Sequence, residues 1–116
     1  MTGAATLKPA DVAQGQLDAY NAQDLDAFCA FYADDIVVAD LNGEVTQSGA
    51  AAFRERYRAM FAQFPQNRVE LAGRIVIGDR VIDHERVLRT PEATPFEVAV
   101  IYTVAQGKIA RADFVK

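Results

Sequence analysis

Cysteine, histidine and clustered positive charge are what this sequence has least of. Among 116 residues there is one cysteine, Cys29, and one histidine, His84. A lone cysteine has no internal disulfide partner, and one imidazole without ligand-spaced neighbours makes no case for zinc. No metal and no cofactor is expected. Twelve Lys and Arg stand against 16 Asp and Glu, a net charge of −4. Arg54, Arg56, Arg58, Arg74, Arg80, Arg86 and Arg89 are scattered rather than gathered into a stripe. That pattern argues against a nucleic-acid surface and against an anionic membrane. No apolar run is long enough to span a bilayer, and "MTGAATLKPA" has neither the basic nor the apolar segment of a secretory leader, so a cytoplasmic location is the expectation. Repeats, low-complexity tracts and linkers are also missing. A chain of this length suits one core, and we expect a single domain over residues 9–116 behind a flexible N-terminus, residues 1–8.

What is present reads as helices first, then sheet. Pro9 suits a first helical turn, and Val12, Gln16 and Tyr20 fall on one line with Ala13 and Leu17 beside it. Residues Asn21 to Gln23 break this helix, and Asp24 can cap a second in which Leu25, Phe28, Cys29 and Tyr32 share a face. Cys29 on that stripe reads as packing rather than as a nucleophile. After "ADD" comes a strand, Ile36 to Leu41, then the turn Asn42-Gly43 and a short return strand "VTQS". Ser48 is positioned to cap a third helix carrying Phe53, Tyr57, Met60, Phe61 and Phe64 until Pro65 stops it. Thereafter "RVELAGRIVIG", "RVIDHERVLR", "FEVAVIYTVA" and "KIARADFVK" are β-rich runs between short turn signals, the pattern of an antiparallel meander. The fold class is α+β, three helices on one side of a curved, mostly antiparallel sheet of about six strands.

Asp40 is out of place in that scheme. Period-two alternation puts it on one face with Ile36 and Val38, while Val37, Ala39 and Leu41 make the other face equally apolar. A carboxylate there either reaches the rim, accepting bonds from the Asn42-Gly43 turn, or sits in an apolar hollow where desolvation raises its pKa.

With "DLDAFCAFYADDIVVADLNG", "SGAAAFRERYRAMF" and "GKIARADFV" in this order, the chain from Asp11 to Lys116 resembles the NTF2-like superfamily, the cone-shaped α+β fold of ketosteroid isomerases and SnoaL-type polyketide cyclases. The resemblance to the isomerases implies that Asp40 takes the place of their general base, which shuttles a proton between carbons beside a carbonyl. It sets Tyr32 and Tyr57 on two tyrosines that in some members support the catalytic tyrosine. That catalytic tyrosine falls on Gln16, and the protonated aspartic acid beside it falls on Val100, so both principal acids of the isomerase are missing. Tyr20 could substitute only if the first helix were shifted by a turn. SnoaL-type cyclases carry an acidic residue near the end of the last strand, where this chain has Phe114.

Other residues remain open between roles. Tyr32 and Tyr57 are equally readable as core aromatics with satisfied hydroxyls. Gln16, a buried amide, needs partners and points to a pocket wall or a bond to Tyr57. His84 shares a strand face with Arg86, opposite Asp83 and Glu85, and apolar residues on both parities leave open which set looks into the cone. Tyr102 shares the parity of Val98 and Val100. Two function classes follow. In one, an enzyme acts on a small apolar organic molecule, with Asp40 as general base, His84 as a second catalytic candidate, and Gln16, Tyr20, Tyr32, Tyr57, Val100, Tyr102 and Phe114 around the ligand. In the other, the same cone is a non-catalytic binding module. A homodimer through the outer sheet face is expected in both.

Overall fold

Pro9 opens the first helix as its missing N–H allows, and the computed structural model, which describes residues 7–115, carries it as α1 (Pro9–Asn21). The expected flexible segment falls mostly on residues 1–6, outside the described residues. Val12, Ala13, Gln16, Leu17 and Tyr20 are buried along α1, the stripe their spacing dictates. Asp24 caps α2 (Leu25–Ala30) by accepting the Ala27 N–H at 3.1 Å. This helix is shorter than its apolar spacing indicates, because Phe31 caps it and Tyr32 already belongs to β1 (Tyr32–Asp40).

The strand therefore starts four residues earlier than the pattern Ile36 to Leu41 predicts, and Leu41 lies beyond it. "ADD" is no helix end but a bulge: Tyr32 pairs with Ile109 and Val37 with Arg111, five steps along β1 against two along its neighbour. Asp34 and Asp35 are exposed on that bulge. Past it, Ile36 and Val38 point into the core at 1% and 2% exposure.

The turn at Asn42, with φ of 57°, returns the chain into β2 (Val45–Ser48). Ser48 does not cap the third helix. It ends β2, and Gly49 at φ 91° turns the chain into α3 (Ala50–Gln63) with no side-chain cap, a backbone conformation that glycine adopts without strain. Phe53, Tyr57 and Phe61 form the buried line of α3, and Phe64 ends it before Pro65.

The meander follows as β3 (Arg68–Ile77), β4 (Arg80–Leu88), β5 (Phe96–Ala105) and β6 (Lys108–Val115). Strand order is β2-β1-β6-β5-β4-β3, antiparallel throughout except where β1 runs parallel to β6. The helices cover one face. Between them and the sheet lies an aromatic cluster in which Phe28 stands 4.8 Å from Tyr57, 5.6 Å from Phe53 and 5.0 Å from Tyr32, centroid to centroid. Among the described residues no helix is long and apolar enough to cross a membrane.

Candidate ligand cavity

The helices and the concave sheet face do not meet everywhere. They leave a cavity of about 480 Å³, within the ~300–1,000 Å³ typical of small-molecule sites. Its roof is Gln16, Leu17 and Tyr20 of α1, Phe28 of α2, and Phe53, Tyr57 and Met60 of α3. Its floor includes Val38, Val87, Val98, Ala112 and Phe114. Thr46, Arg56, Phe96 and Glu97 also line it and are exposed, which puts the mouth at the end of the sheet where β1 finishes and β5 begins.

Away from the mouth, four buried polar side chains bond to one another. The Tyr32 hydroxyl donates to Gln16 Oε1 at 2.7 Å, and Gln16 Nε2 donates to the Ala13 carbonyl at 3.0 Å and the Tyr102 hydroxyl at 3.2 Å. Tyr102 in turn approaches Glu85 Oε2 at 3.4 Å. Burial, followed by the charge of neighbouring Asp83, pushes the Glu85 carboxyl up to about 7, and the Tyr102 bond and Arg74 only partly oppose it. Burial likewise holds the Tyr32 and Tyr102 hydroxyls well above the usual phenol range. Near neutral pH this chain contains a carboxyl poised between its two protonation states, a trait of acid–base sites.

A second cluster stands nearer the mouth. Tyr20 takes hydrogen bonds from Asn67 and, at 3.1 Å, from Arg89 Nη1. Arg89 also donates to Asn67 Oδ1 at 3.3 Å, and its guanidinium lies over the rings of Phe64 and Phe96 at 5.7 and 5.4 Å. Tyr57 differs from the other three tyrosines. It is 8% exposed, and its hydroxyl makes no hydrogen bond among the described residues. Burial pushes that hydroxyl up to about 12 against the lowering charge of Arg56 and Arg89, so it remains a neutral donor facing the cavity.

The sequence candidates separate cleanly in space. Asp40, Gln16, Tyr20, Tyr32, Tyr57, Tyr102 and Phe114 all line the cavity. Asp40 is half-buried at the end of β1, opposite Phe114 of β6. Two candidates do not line it. Val100 is fully buried in the core, paired with Asp83 and Phe114 across its neighbouring strands and closed off from the space. His84 is 53% exposed on the outer face, bonded to Glu97, because β4 turns Val81, Asp83, Glu85 and Val87 toward the helices. The expectation of a catalytic His84 in the cone is thus corrected, and Glu85 occupies the inner position. Sequence reasoning omitted Glu85, Arg56 and Arg89 from the lining. Strand parity tied Glu85 to the face opposite His84, but no local signal told which face is roofed. Among the described residues no three His, Cys, Asp or Glu side chains gather as a metal site.

Comparison with known proteins agrees with this architecture. Residues 13–112 match the family model of the SnoaL-like domain. No curated protein matches at a significant level. An uncharacterised cystatin-fold protein from Novosphingobium aromaticivorans is 30% identical over 95% of this chain and 99% of its own, with a TM-score of 0.87. A candidate polyketide cyclase from Sinorhizobium meliloti is 25% identical over 94% of this chain and 100% of its own, TM-score 0.77. A candidate ketosteroid isomerase from Kribbella flavida, 16% identical over 91% of this chain and 75% of its own, TM-score 0.76, shares the fold.

Proposed function

We propose, from the premise that the chain belongs to the SnoaL-like domain family, that it binds a small, largely apolar carbonyl compound and moves a proton on it, with Asp40 as general base. The observation that carries this reading is Tyr57: a side chain more than nine-tenths buried, whose hydroxyl has no hydrogen-bond partner among the described residues and which lines the cavity that Asp40 also lines. The polar groups of Tyr32, Gln16, Tyr102 and Glu85 engage one another, and Tyr20 is engaged by Asn67 and Arg89. Tyr57 is the tyrosine whose donor needs an incoming acceptor.

The chemistry follows from charge. A base that takes the proton from a carbon beside a carbonyl leaves two electrons that move onto the carbonyl oxygen, forming an enolate. A donor at that oxygen stabilises the enolate by about 3 kcal/mol. In this reading Tyr57 supplies that donor, Asp40 holds the proton, and return of the proton to the same or a second carbon regenerates the carboxylate. The Gln16 position, where the family resemblance sets a phenol, instead organises Tyr32 and Tyr102.

The test is hydrogen–deuterium exchange of 2-tetralone in heavy water, followed by NMR. Wild-type protein is expected to accelerate exchange at the carbons beside the carbonyl, Asp40→Asn to lose about 100-fold or more of that acceleration, and Tyr57→Phe about 100-fold. Absence of acceleration by wild type sinks the reading. A second reading, a non-catalytic binding module, draws support from the closed Tyr32–Gln16–Tyr102–Glu85 chain, which needs no ligand to be satisfied. Binding of the ketone with no exchange would favour it.

A further inference from the structure

Arg89 is bound to the protein through one corner of its guanidinium. Nη1 donates to the Tyr20 hydroxyl at 3.1 Å, to Asn67 Oδ1 at 3.3 Å and to Met60 Sδ at 3.5 Å. Nε and Nη2 have no acceptor among the described residues, and no described carboxylate lies within ion-pair distance of Arg89. Among the described residues six other arginines pair with a carboxylate, as Arg74 does with Asp83 and Arg86 with Glu70, and Arg56 and Arg68, like Arg89, do not. The Arg89 guanidinium lies over the rings of Phe64 and Phe96, and its unengaged Nε and Nη2 form one edge of the group. That edge is a planar fork that matches a carboxylate bidentately.

Two further groups line the same cavity. Arg56, over the Tyr57 ring at 5.9 Å, lines the mouth, and among the described residues its one side-chain bond is to Gln47 at 3.4 Å. Tyr57, with its unengaged hydroxyl, feels the charge of both guanidiniums. Three carboxyl groups also line the cavity. Glu97 is bonded to His84, Glu85 to Tyr102, and Asp40 is the proposed base.

We infer that the ligand is an organic acid, its apolar body in the cavity and its carboxylate at the mouth on the free edge of Arg89, with Arg56 adding positive charge. The inference rests on reading the cavity as a small-molecule site and names the substrate class within it: a carbonyl compound that also carries a carboxylate.

The test compares 2-naphthoate with its uncharged methyl ester, by NMR titration of the wild-type protein at neutral pH. The acid is expected to bind on the order of tenfold tighter or better, with the advantage shrinking as salt is raised. Arg89→Met should abolish the preference and Arg89→Lys, which keeps the charge but loses the fork, should retain only part of it. Equal binding of acid and ester by wild type overturns the inference while leaving 2-tetralone exchange, and so the proton-transfer reading, untouched. A preference that persists in Arg89→Met overturns the assignment to Arg89. Failure of both naphthyl probes to bind overturns the inference, and absence of 2-tetralone exchange in the same preparation removes the underlying reading as well. Should Arg89→Met fail to fold, the wild-type ratio and the lysine variant decide.

Discussion

Glu85 is the side chain whose environment departs furthest from what its neighbours in the sequence indicate. Its folded-state carboxyl sits at about 7 against an ordinary value of 4.5. The folded protein therefore binds this proton more tightly than the unfolded chain, and the contribution of Glu85 to stability is full below about pH 4.5 and is lost as pH rises through about 7. The loss is on the order of 3 kcal/mol. Glu85→Gln keeps an acceptor for Tyr102 and cannot ionise, so urea melts across this range should show a flatter pH profile and a more stable variant at alkaline pH. A parallel profile for the two proteins would contradict the burial argument. Alternation along "VIDHERV" separates Glu85 from His84 by face without ambiguity. It does not say which face is inside, because Val81 and Val87 are buried on one parity while Ile82 and Leu88 are half-buried on the other. Asp40, by contrast, stood out because a carboxylate interrupted an apolar strand. That anomaly is local, and the position of a roof over a strand is not. The same limit hid Arg89, which nothing in "LRTPEATPF" distinguishes from a surface arginine.

At the scale of elements, the sequence carried the order of helices and strands well and their ends less well. Asp24 capped α2 as its side chain allows, whereas Gly49 rather than Ser48 begins α3. A serine beside a glycine looks like a cap only when the strand is taken to stop one residue early. Tyr32 fitted the α2 stripe at helical spacing, and the β1–β6 pairing overrode that propensity. One contact between elements invites a quantitative test. Arg74 of β3 grips Asp83 of β4 through two bonds, 2.7 and 2.9 Å, and reaches Gln14 of α1 at 3.0 Å. Asp83 is fully buried, so Asp83→Asn leaves the guanidinium without its counter-charge and should cost about 3–5 kcal/mol in chemical denaturation. The double variant Arg74→Met/Asp83→Leu should recover much of that loss. A single-variant cost below about 1 kcal/mol would show that the pair behaves as a surface one.

For the whole molecule, the outer sheet face carries ion pairs such as Arg86 with Glu70 beside uncovered apolar side chains. Ile75 is 56% exposed and Val115 41%, with Ile101 and Ile82 on the same face by register. We propose that a second copy of the chain covers it, and light scattering should then report twice the mass of one chain. Ile75→Glu with Val115→Glu should halve that mass, and a wild-type protein of single mass at micromolar concentration would refute the pairing. The run of strands in a meander was readable from turn signals. The parallel seam between β1 and β6 was not, since residues far apart in the chain meet there with no short-range cue. That seam has a consequence for biosynthesis. The hairpin bearing Asp40 is joined to the rest of the sheet through β6 alone, so on the ribosome Asp40 cannot be set in register until residues 108–115 have emerged from the exit tunnel. Until then the apolar inner edge of β1 stands uncovered, and completion of the cavity wall that carries Asp40 waits on a contact between segments far apart in the chain.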